Sequence, residues 1–129
     1  MNTPIYHSAE VGIFAADRLV RVPAAAPIDS VARALDDHDV GAVVVGLDRI
    51  EGIVSERDLV RVLAARRDTS LPVGQVASTE LVYCDAHASI DDAAELMLER
   101  YVRHLLVEDD GEVIGIVSAR DLLGAFVTR

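Results

Sequence analysis

The feature that most constrains this chain is an internal repeat that covers most of its length. Residues 19–35, LVRVPAAAPIDSVARAL, align with residues 81–97, LVYCDAHASIDDAAELM, at an offset of 62. The phrase GIVSERD, which begins at Gly52, recurs as GIVSARD from Gly115, at an offset of 63. The second copy has gained one residue where the turn candidates GLDRIEG and EDDGEVIG lie. Because turns tolerate length changes, the chain is predicted to fold as two copies of one unit.

Both copies show the same order of predicted elements, β-α-β-β-α. The first helix starts at Pro27 in one copy and at Ser89, a favourable N-cap, in the other. The later strands are almost continuously apolar, which indicates that both faces of each sheet are covered. Asp110-Gly111 is a hairpin signal. The predicted strands span residues 19–22, 42–45 and 50–54, and then 81–84, 105–107 and 112–117.

This pattern predicts an α+β fold of two tandem repeats, residues 8–67 and 68–129, packed sheet to sheet. Helical spacing predicts which residues of each helix face the core, and short segments ahead of each copy are expected to dock on the neighbouring copy. The helix positions are Ile28, Val31, Ala32 and Leu35; Leu59, Val62, Leu63 and Arg66; Ile90, Ala93, Ala94, Met97 and Leu98; and Leu122, Leu123 and Phe126. The docking positions are Val11, Ile13, Phe14, Val73 and Val76.

Serine and aspartate stand three residues apart at the strand-to-helix turn of both copies, as Ser55 with Asp58 and Ser118 with Asp121. This is the spacing of a capping box with aspartate in place of glutamate, and such a cap contributes about 1 kcal/mol. If the Ser–Asp pair occurred only once, helix capping would be a sufficient explanation of it. Its repetition at matching places in matching units indicates two related sites.

The same turn suits a nucleotide. A helix N-terminus offers N–H groups and partial positive charge to a phosphate, to which a serine hydroxyl can also donate. A carboxylate one turn along can accept from the two hydroxyls of a ribose. Apolar residues before the serine can line a slot for a flat base, glycines permit close approach, and nearby arginines can neutralise phosphate charge. These supporting residues are Ile53, Ile116, Gly52, Gly115, Arg57 and Arg120.

The repeated unit and its closing G-I-V-S-x-R-D phrase resemble a pair of CBS domains, named after cystathionine β-synthase, from about Val11 to Val127. The resemblance implies one pseudo-two-fold module with two clefts that bind adenosine ligands such as AMP, ADP, ATP or S-adenosylmethionine. It implies a regulatory role without catalysis or a required cofactor. It also implies a homodimer and a regulated protein partner.

Carried over by position, the resemblance places Ser55 and Ser118 on phosphate and Asp58 and Asp121 on ribose. Ile53 and Ile116 would lie against the base or sugar. The residues that open the second strand, and one alanine after the first strand, would also line the clefts. These lining residues are Val40, Gly41, Ala42, Val102, Arg103, His104, Ala24 and Ala86.

The two clefts are expected to be unequal. Arg103 and His104 can contact phosphate, whereas their counterparts Gly41 and Ala42 cannot. We therefore expect phosphate charge to be met mainly by Arg103, His104 and Arg120. An alternative stays open, because the second strands read AVVVG and HLLVE where many family members have proline. In that alternative the chain is a structural or protein-interaction module with empty clefts that acts through dimerisation.

Composition excludes several other classes. The net charge of −10 argues against non-specific binding to nucleic acid or to an anionic membrane. A single cysteine, Cys84, fits a reducing compartment, and there is no signal-peptide pattern or apolar run long enough to span a membrane. A cytoplasmic location is expected.

Neither a metal site nor a catalytic constellation is expected. The four histidines show no metal-ligand spacing with Cys84 or with each other, and Cys84 ends an apolar strand as an inert thiol. Neither Ser55 nor Ser118 has a paired base, so no enzymatic activity is predicted. The histidines are His7, His38, His87 and His104.

Overall fold

The computed structural model describes residues 9–15 and 19–127, with burial described as far as Ala125. The strands are β1 (Arg21–Val22), β2 (Ala42–Val45), β3 (Gly52–Ser55), β4 (Tyr83–Asp85), β5 (His104–Asp109) and β6 (Glu112–Ser118). The helices are α1 (Gly12–Ala15), α2 (Ile28–His38), α3 (Glu56–Ala64), α4 (Ile90–Arg100) and α5 (Ala119–Val127), with a 3₁₀ turn, η1, at Val73–Gln75. The predicted α+β class and the two β-α-β-β-α repeats are confirmed.

The first of two compact units comprises residues 20–81. Its sheet has the order β1-β2-β3, with β1 parallel to β2 and β2 antiparallel to β3. All four residues of β2 are buried, which confirms that both faces of this strand are covered. The core of this unit consists of Val22, Ile28, Val31, Leu35, Val43, Val45, Val54, Leu59, Val62 and Val73.

The second unit comprises residues 82–127 together with 9–15 and 19, and its sheet repeats the topology as β4-β5-β6. Asp110 and Gly111 both have positive φ, of 53° and 83°, as the predicted tight hairpin turn requires. The extra residue of this copy lies beside that turn, where the register between β5 and β6 shifts at Val107 and Glu108. The core consists of Val11, Ala15, Val82, Ala86, Ile90, Ala93, Met97, Leu105, Val107, Val117, Leu122 and Ala125.

The two repeats exchange their lead-in segments, residues 9–15 and 72–78. Val11 of the first segment is fully buried in the core of the second unit, and Val73 is fully buried in that of the first. Each compact unit thus combines one repeat with the lead-in segment of the other, as docking on the neighbouring copy predicted. Ile13 was expected to dock but its side chain is exposed.

Some predicted core positions of the helices are wrong. Leu63, Leu98 and Leu123 are 65%, 77% and 66% exposed. In α3, the buried residues Leu59 and Val62 form a narrow stripe, because this helix has its main contacts with α2 and with its own strand, β3. Ala32 and Arg66 are exposed too, and the side chain of Phe126 lies outside the described residues.

Within the described residues, the helices are too short and too polar for any of them to cross a membrane.

Candidate functional site

The N-terminus of α3 carries a complete capping box. The backbone N–H of Ser55 donates to Asp58 Oδ2 at 2.8 Å, and the N–H of Asp58 donates to Ser55 Oγ at 3.3 Å. The Ser55 hydroxyl also lies 3.0 Å from the same carboxylate oxygen. The box therefore holds both side chains at the first turn of the helix.

The second unit repeats this arrangement at α5. The N–H of Ser118 donates to Asp121 Oδ2 at 2.9 Å, and the N–H of Asp121 donates to Ser118 Oγ at 3.0 Å. The predicted capping role is thus confirmed in both copies. The same contacts orient a hydroxyl and a carboxylate at each helix N-terminus before any ligand arrives.

One more N–H group at the start of each helix is bonded, in this case to the carbonyl of the residue that precedes β2 or β5. Glu56 N–H donates to the Gly41 carbonyl at 3.0 Å, and Ala119 N–H donates to the Arg103 carbonyl at 2.8 Å. An α-helix begins with a few N–H groups that have no partner within the helix. With the N-cap, first and third positions bonded, the N–H of the second position is the donor that remains for a ligand. In the described part of the chain this is the N–H of Arg57 in one unit and of Arg120 in the other.

The sequence pattern does not reveal this contact, because it suggests that all the N–H groups at the helix N-terminus are equally available to a ligand. The signal that could have found it is the backbone register. Ala42 pairs with Ser55 and His104 pairs with Ser118, so the preceding residue of each strand lies beside the first helical residue.

This register brings most of the predicted site residues together within each unit. Residues that open the second strand lie beside the serine and aspartate of the same unit. In the first unit these are Val40, Gly41 and Ala42 with Ser55 and Asp58, and in the second they are Val102, Arg103 and His104 with Ser118 and Asp121.

The residues beside the two capping boxes differ in charge. In the second unit, an exposed arginine, Arg103, and a half-buried histidine, His104, lie next to Ser118. In the first unit the same positions hold Gly41 and Ala42. Both units keep an exposed arginine at the second helical position, Arg57 and Arg120.

Ile53 and Ile116 lie two residues before the serines in β3 and β6. Ile53 is half-buried, and it exchanges two backbone hydrogen bonds with Ser78 of the lead-in segment, at 2.9 and 2.8 Å. Ile116 is buried, with 5% of its surface exposed. One edge of β3 is therefore covered by the lead-in segment.

Ala24 and Ala86 lie elsewhere in their units. Ala86 N–H donates to the Glu108 carbonyl, four residues along β5 from His104, which is about 13 Å along a strand. The carbonyls of Ala86 and Ala24 accept hydrogen bonds from Gly12 and Gly74 of the lead-in segments, each at 2.9 Å. Within one unit, these two alanines are not brought next to the capping boxes.

The glycines of the GIVS phrases serve a different purpose from the expected close approach of a ligand. A Cβ on Gly115 would overlap the carbonyl oxygen of Ala15 and lie 2.7 Å from its carbonyl carbon. A Cβ on Gly52 would lie 2.9 Å from the carbonyl oxygen of Ser78. The space beside both glycines is filled by the backbone of the docked lead-in segments, so the glycines are required for the exchange.

In the described part of the chain, neither Cys84 nor the metal-ligating residue types form a second site. Burial, followed by the charges of Asp85 and Glu108, raises the pKa of the Cys84 thiol to about 11, so it is a poor nucleophile at neutral pH. Among the described residues, no three histidine, cysteine, aspartate or glutamate side chains are grouped as metal ligands. His7 lies outside those residues.

Comparison with known proteins agrees with this geometry. The family model "CBS domain" matches residues 10–65 and again residues 73–128. The CBS domain-containing protein YhcV of Bacillus subtilis is 37% identical over 97 residues, which cover 74% of this chain and 69% of that protein.

Solved structures give the same answer. A CBS-domain containing protein from Agrobacterium tumefaciens superposes with a TM-score of 0.81 and 28% identity, over 98% of this chain and 100% of that one. A CBS domain protein from Pyrobaculum aerophilum complexed with AMP has a TM-score of 0.77 and 28% identity, over 93% and 100% of the two chains. Two matches of the family model, in two units with the same strand order and the same capped turn, show that this chain belongs to the CBS domain family.

Proposed function

We propose that this protein is a regulatory module that binds an adenosine-containing ligand, AMP, ADP, ATP or S-adenosylmethionine, and carries out no catalysis. The observation that carries the proposal is the paired Ser and Asp at each helix N-terminus, held beside the opening residues of a strand. A structural relative at 28% identity is complexed with AMP, which supports this ligand class. The response would pass to a regulated protein partner.

The proposed contacts follow the chemistry of each group. The carboxylate of Asp58 or Asp121 accepts from the ribose hydroxyls, because each aspartate is fixed by its capping box one turn from the strand. The phosphate receives the serine hydroxyl and the N–H of the second helical residue, at the positive end of the helix. The base lies against Ile53 or Ile116.

The second unit is proposed to bind phosphate more tightly. Arg103 and His104 lie next to Ser118, and Arg120 is the second residue of α5. Hydrogen bonds from cationic donors to phosphate are shorter and stronger than neutral ones. The first unit offers Arg57 alone from the equivalent positions, so its site suits a weaker or less charged ligand.

A thermal-shift panel tests the ligand class. AMP, ADP, ATP and S-adenosylmethionine are each added at millimolar concentration, with guanosine monophosphate as the control for a nucleotide without adenine. A ligand at a hundred times its dissociation constant stabilises the folded state by about 2.7 kcal/mol, and we expect at least one adenosine ligand to do so. No shift with any of the four overturns the proposal. That result favours the alternative, an interaction module with empty clefts.

The proposal includes a homodimer. Val60 of α3 and Leu123 of α5 are equivalent residues of the two repeats, and both are exposed. In the second unit, α4 adds the exposed Leu98, and its C-cap residue Tyr101 is 95% exposed. Exposed apolar side chains on packed helices are typical of a surface that a second copy covers through a two-fold axis.

Sedimentation velocity tests the dimer. We expect a dimer at tens of micromolar protein, and Leu123→Glu should weaken it by about tenfold or more, because it places a charge within an apolar contact. Leu47→Glu, which changes an exposed leucine on the turn between β2 and β3, is the matched control and should leave the dimer intact. A wild-type monomer at high micromolar concentration contradicts the assembly.

A further inference from the structure

Three acidic side chains surround His87, away from the capping box of the same unit. His87 Nδ1 lies 2.8 Å from Glu10 Oε1, and its Nε2 lies 3.5 Å from Asp109 Oδ1. The backbone N–H of His87 also donates to Asp85 Oδ1 at 2.8 Å. A neutral imidazole carries one ring proton, so only the protonated ring can donate towards Glu10 and Asp109 together.

The cluster joins three separate segments of the second unit. Glu10 belongs to the lead-in segment of residues 9–15, His87 to the turn before α4, and Asp109 to the end of β5. The same lead-in segment donates two backbone hydrogen bonds to that turn, from Val11 to the Ala88 carbonyl at 2.8 Å and from Gly12 to the Ala86 carbonyl at 2.9 Å. The side-chain cluster therefore lies at the point where the segment is docked.

The first unit docks its lead-in segment without these charges. The N–H of Val73 donates to the Ala26 carbonyl at 2.8 Å, and that of Gly74 donates to the Ala24 carbonyl at 2.9 Å, which reproduces the backbone contacts of the second unit. The positions equivalent to Glu10, His87 and Asp109 are Pro72, Ala25 and Leu47. The molecule thus contains an uncharged counterpart of the same docking contact.

We propose that Glu10, His87 and Asp109 form a pH-responsive clasp, which tightens the docking of the lead-in segment while His87 is protonated. The docked segment continues from Glu10 to Ala15, which covers Gly115. Loss of the charge on His87 loosens the segment in the second unit and leaves the first unit unaffected.

The direction of the pH dependence follows from the groups that face the ring. The hydrogen bond to Glu10, followed by the charges of Glu10, Asp109 and Asp85, raises the pKa of His87 above its usual value of 6.5. These groups come from the lead-in segment, β5 and the end of β4, and all are acidic. The contribution of the clasp is therefore complete below about pH 6.5 and is lost as the pH rises through the raised pKa. The side chains are largely exposed, so solvent screening keeps the effect moderate.

Amide hydrogen exchange followed by NMR tests the clasp on the full chain without ligand. Protection factors are measured between pH 6 and pH 8 for Val11 and Gly12, with Val73 and Gly74 as internal controls. We expect protection of Val11 and Gly12 to fall roughly two- to five-fold with rising pH, the range that an exposed ion pair supplies. Protection of Val73 and Gly74 should stay constant.

A variant and a titration make the result decisive. His87→Gln keeps a polar side chain but cannot be protonated, and it should give low protection of Val11 and Gly12 at both pH values. The ring resonances of His87 should titrate above 6.5. The clasp is excluded if Val11 and Gly12 follow Val73 and Gly74 in the wild type, or if His87→Gln keeps their pH dependence. Since no nucleotide is added, either outcome is independent of the proposed adenosine site.

Discussion

Gly115→Ala should destabilise the protein by about 3 kcal/mol or more, the upper range for an overpacked interior. The added Cβ would overlap the Ala15 carbonyl oxygen, and backbone atoms cannot rotate away as a flexible side chain can. Relief requires the lead-in segment to move, which would draw the fully buried Val11 and Ala15 from the core of the second unit. Urea denaturation of both proteins measures the change in free energy of unfolding.

Two other glycine variants provide comparisons for the change in stability of Gly115→Ala. Gly52→Ala should also destabilise, by a smaller amount, because its Cβ would lie 2.9 Å from the Ser78 carbonyl oxygen. Gly124→Ala in α5 meets nothing within 4 Å and should stabilise the protein by up to about 1 kcal/mol, the difference between glycine and alanine in a helix. If Gly115→Ala has a free energy of unfolding within about 0.5 kcal/mol of the wild type, the exchange of lead-in segments is not required for stability.

Asp121→Ala should remove most of the binding of the favoured adenosine ligand, with a loss of affinity of about tenfold or more. The reason is that a carboxylate accepting from ribose hydroxyls makes charged hydrogen bonds, each worth about 1.5–3 kcal/mol. Asp58→Ala should weaken binding less, because the first unit has Gly41 and Ala42 where the second has Arg103 and His104. Isothermal titration calorimetry measures both variants with the ligand that gives the largest thermal shift.

The two aspartates also cap their helices, so stability has to be separated from binding. Both substitutions disrupt a capping box and should cost a similar amount, about 1 kcal/mol. Urea denaturation measures this common effect in the absence of ligand. Asp121→Asn provides a further control, because an amide can accept the hydrogen bond of the Ser118 N–H but carries no charge. Equal losses of affinity in Asp121→Ala and Asp58→Ala contradict the proposed difference between the two sites.

Much of the local architecture was predictable because it depends on neighbours in sequence. Nearly continuous apolar runs and turn chemistry located the strands, and S-x-x-D located the helix starts at Ser55 and Ser118. The hairpin at Asp110-Gly111 needs positive φ at two successive residues, which those residue types supply. The unequal charge beside the two boxes was also readable, since Gly41 and Arg103 occupy the same place in their repeats.

The burial of residues at the edge of a helix's apolar face could not be predicted from the sequence in the same way. Leu63 and Leu123 have the hydrophobicity and spacing of core residues, yet each is exposed beside a buried neighbour, Val62 or Leu122. Periodicity shows that a helix has an apolar side but does not show how wide a surface another element covers. That width depends on which elements pack there.

The repeat was sufficient to reveal two matching units, their element order and the capped turns, because these follow from local propensity and from similarity within the chain. Tertiary structure alone decided what lies against those turns. The backbone of the exchanged lead-in segments lies beside Gly52 and Gly115. The carbonyls of Gly41 and Arg103 accept hydrogen bonds from the first N–H group of α3 and α5. Tertiary structure also brought Glu10 to His87 across more than seventy residues of sequence. These contacts join residues far apart in the chain, so their partners are selected by packing and backbone register, which no local pattern contains.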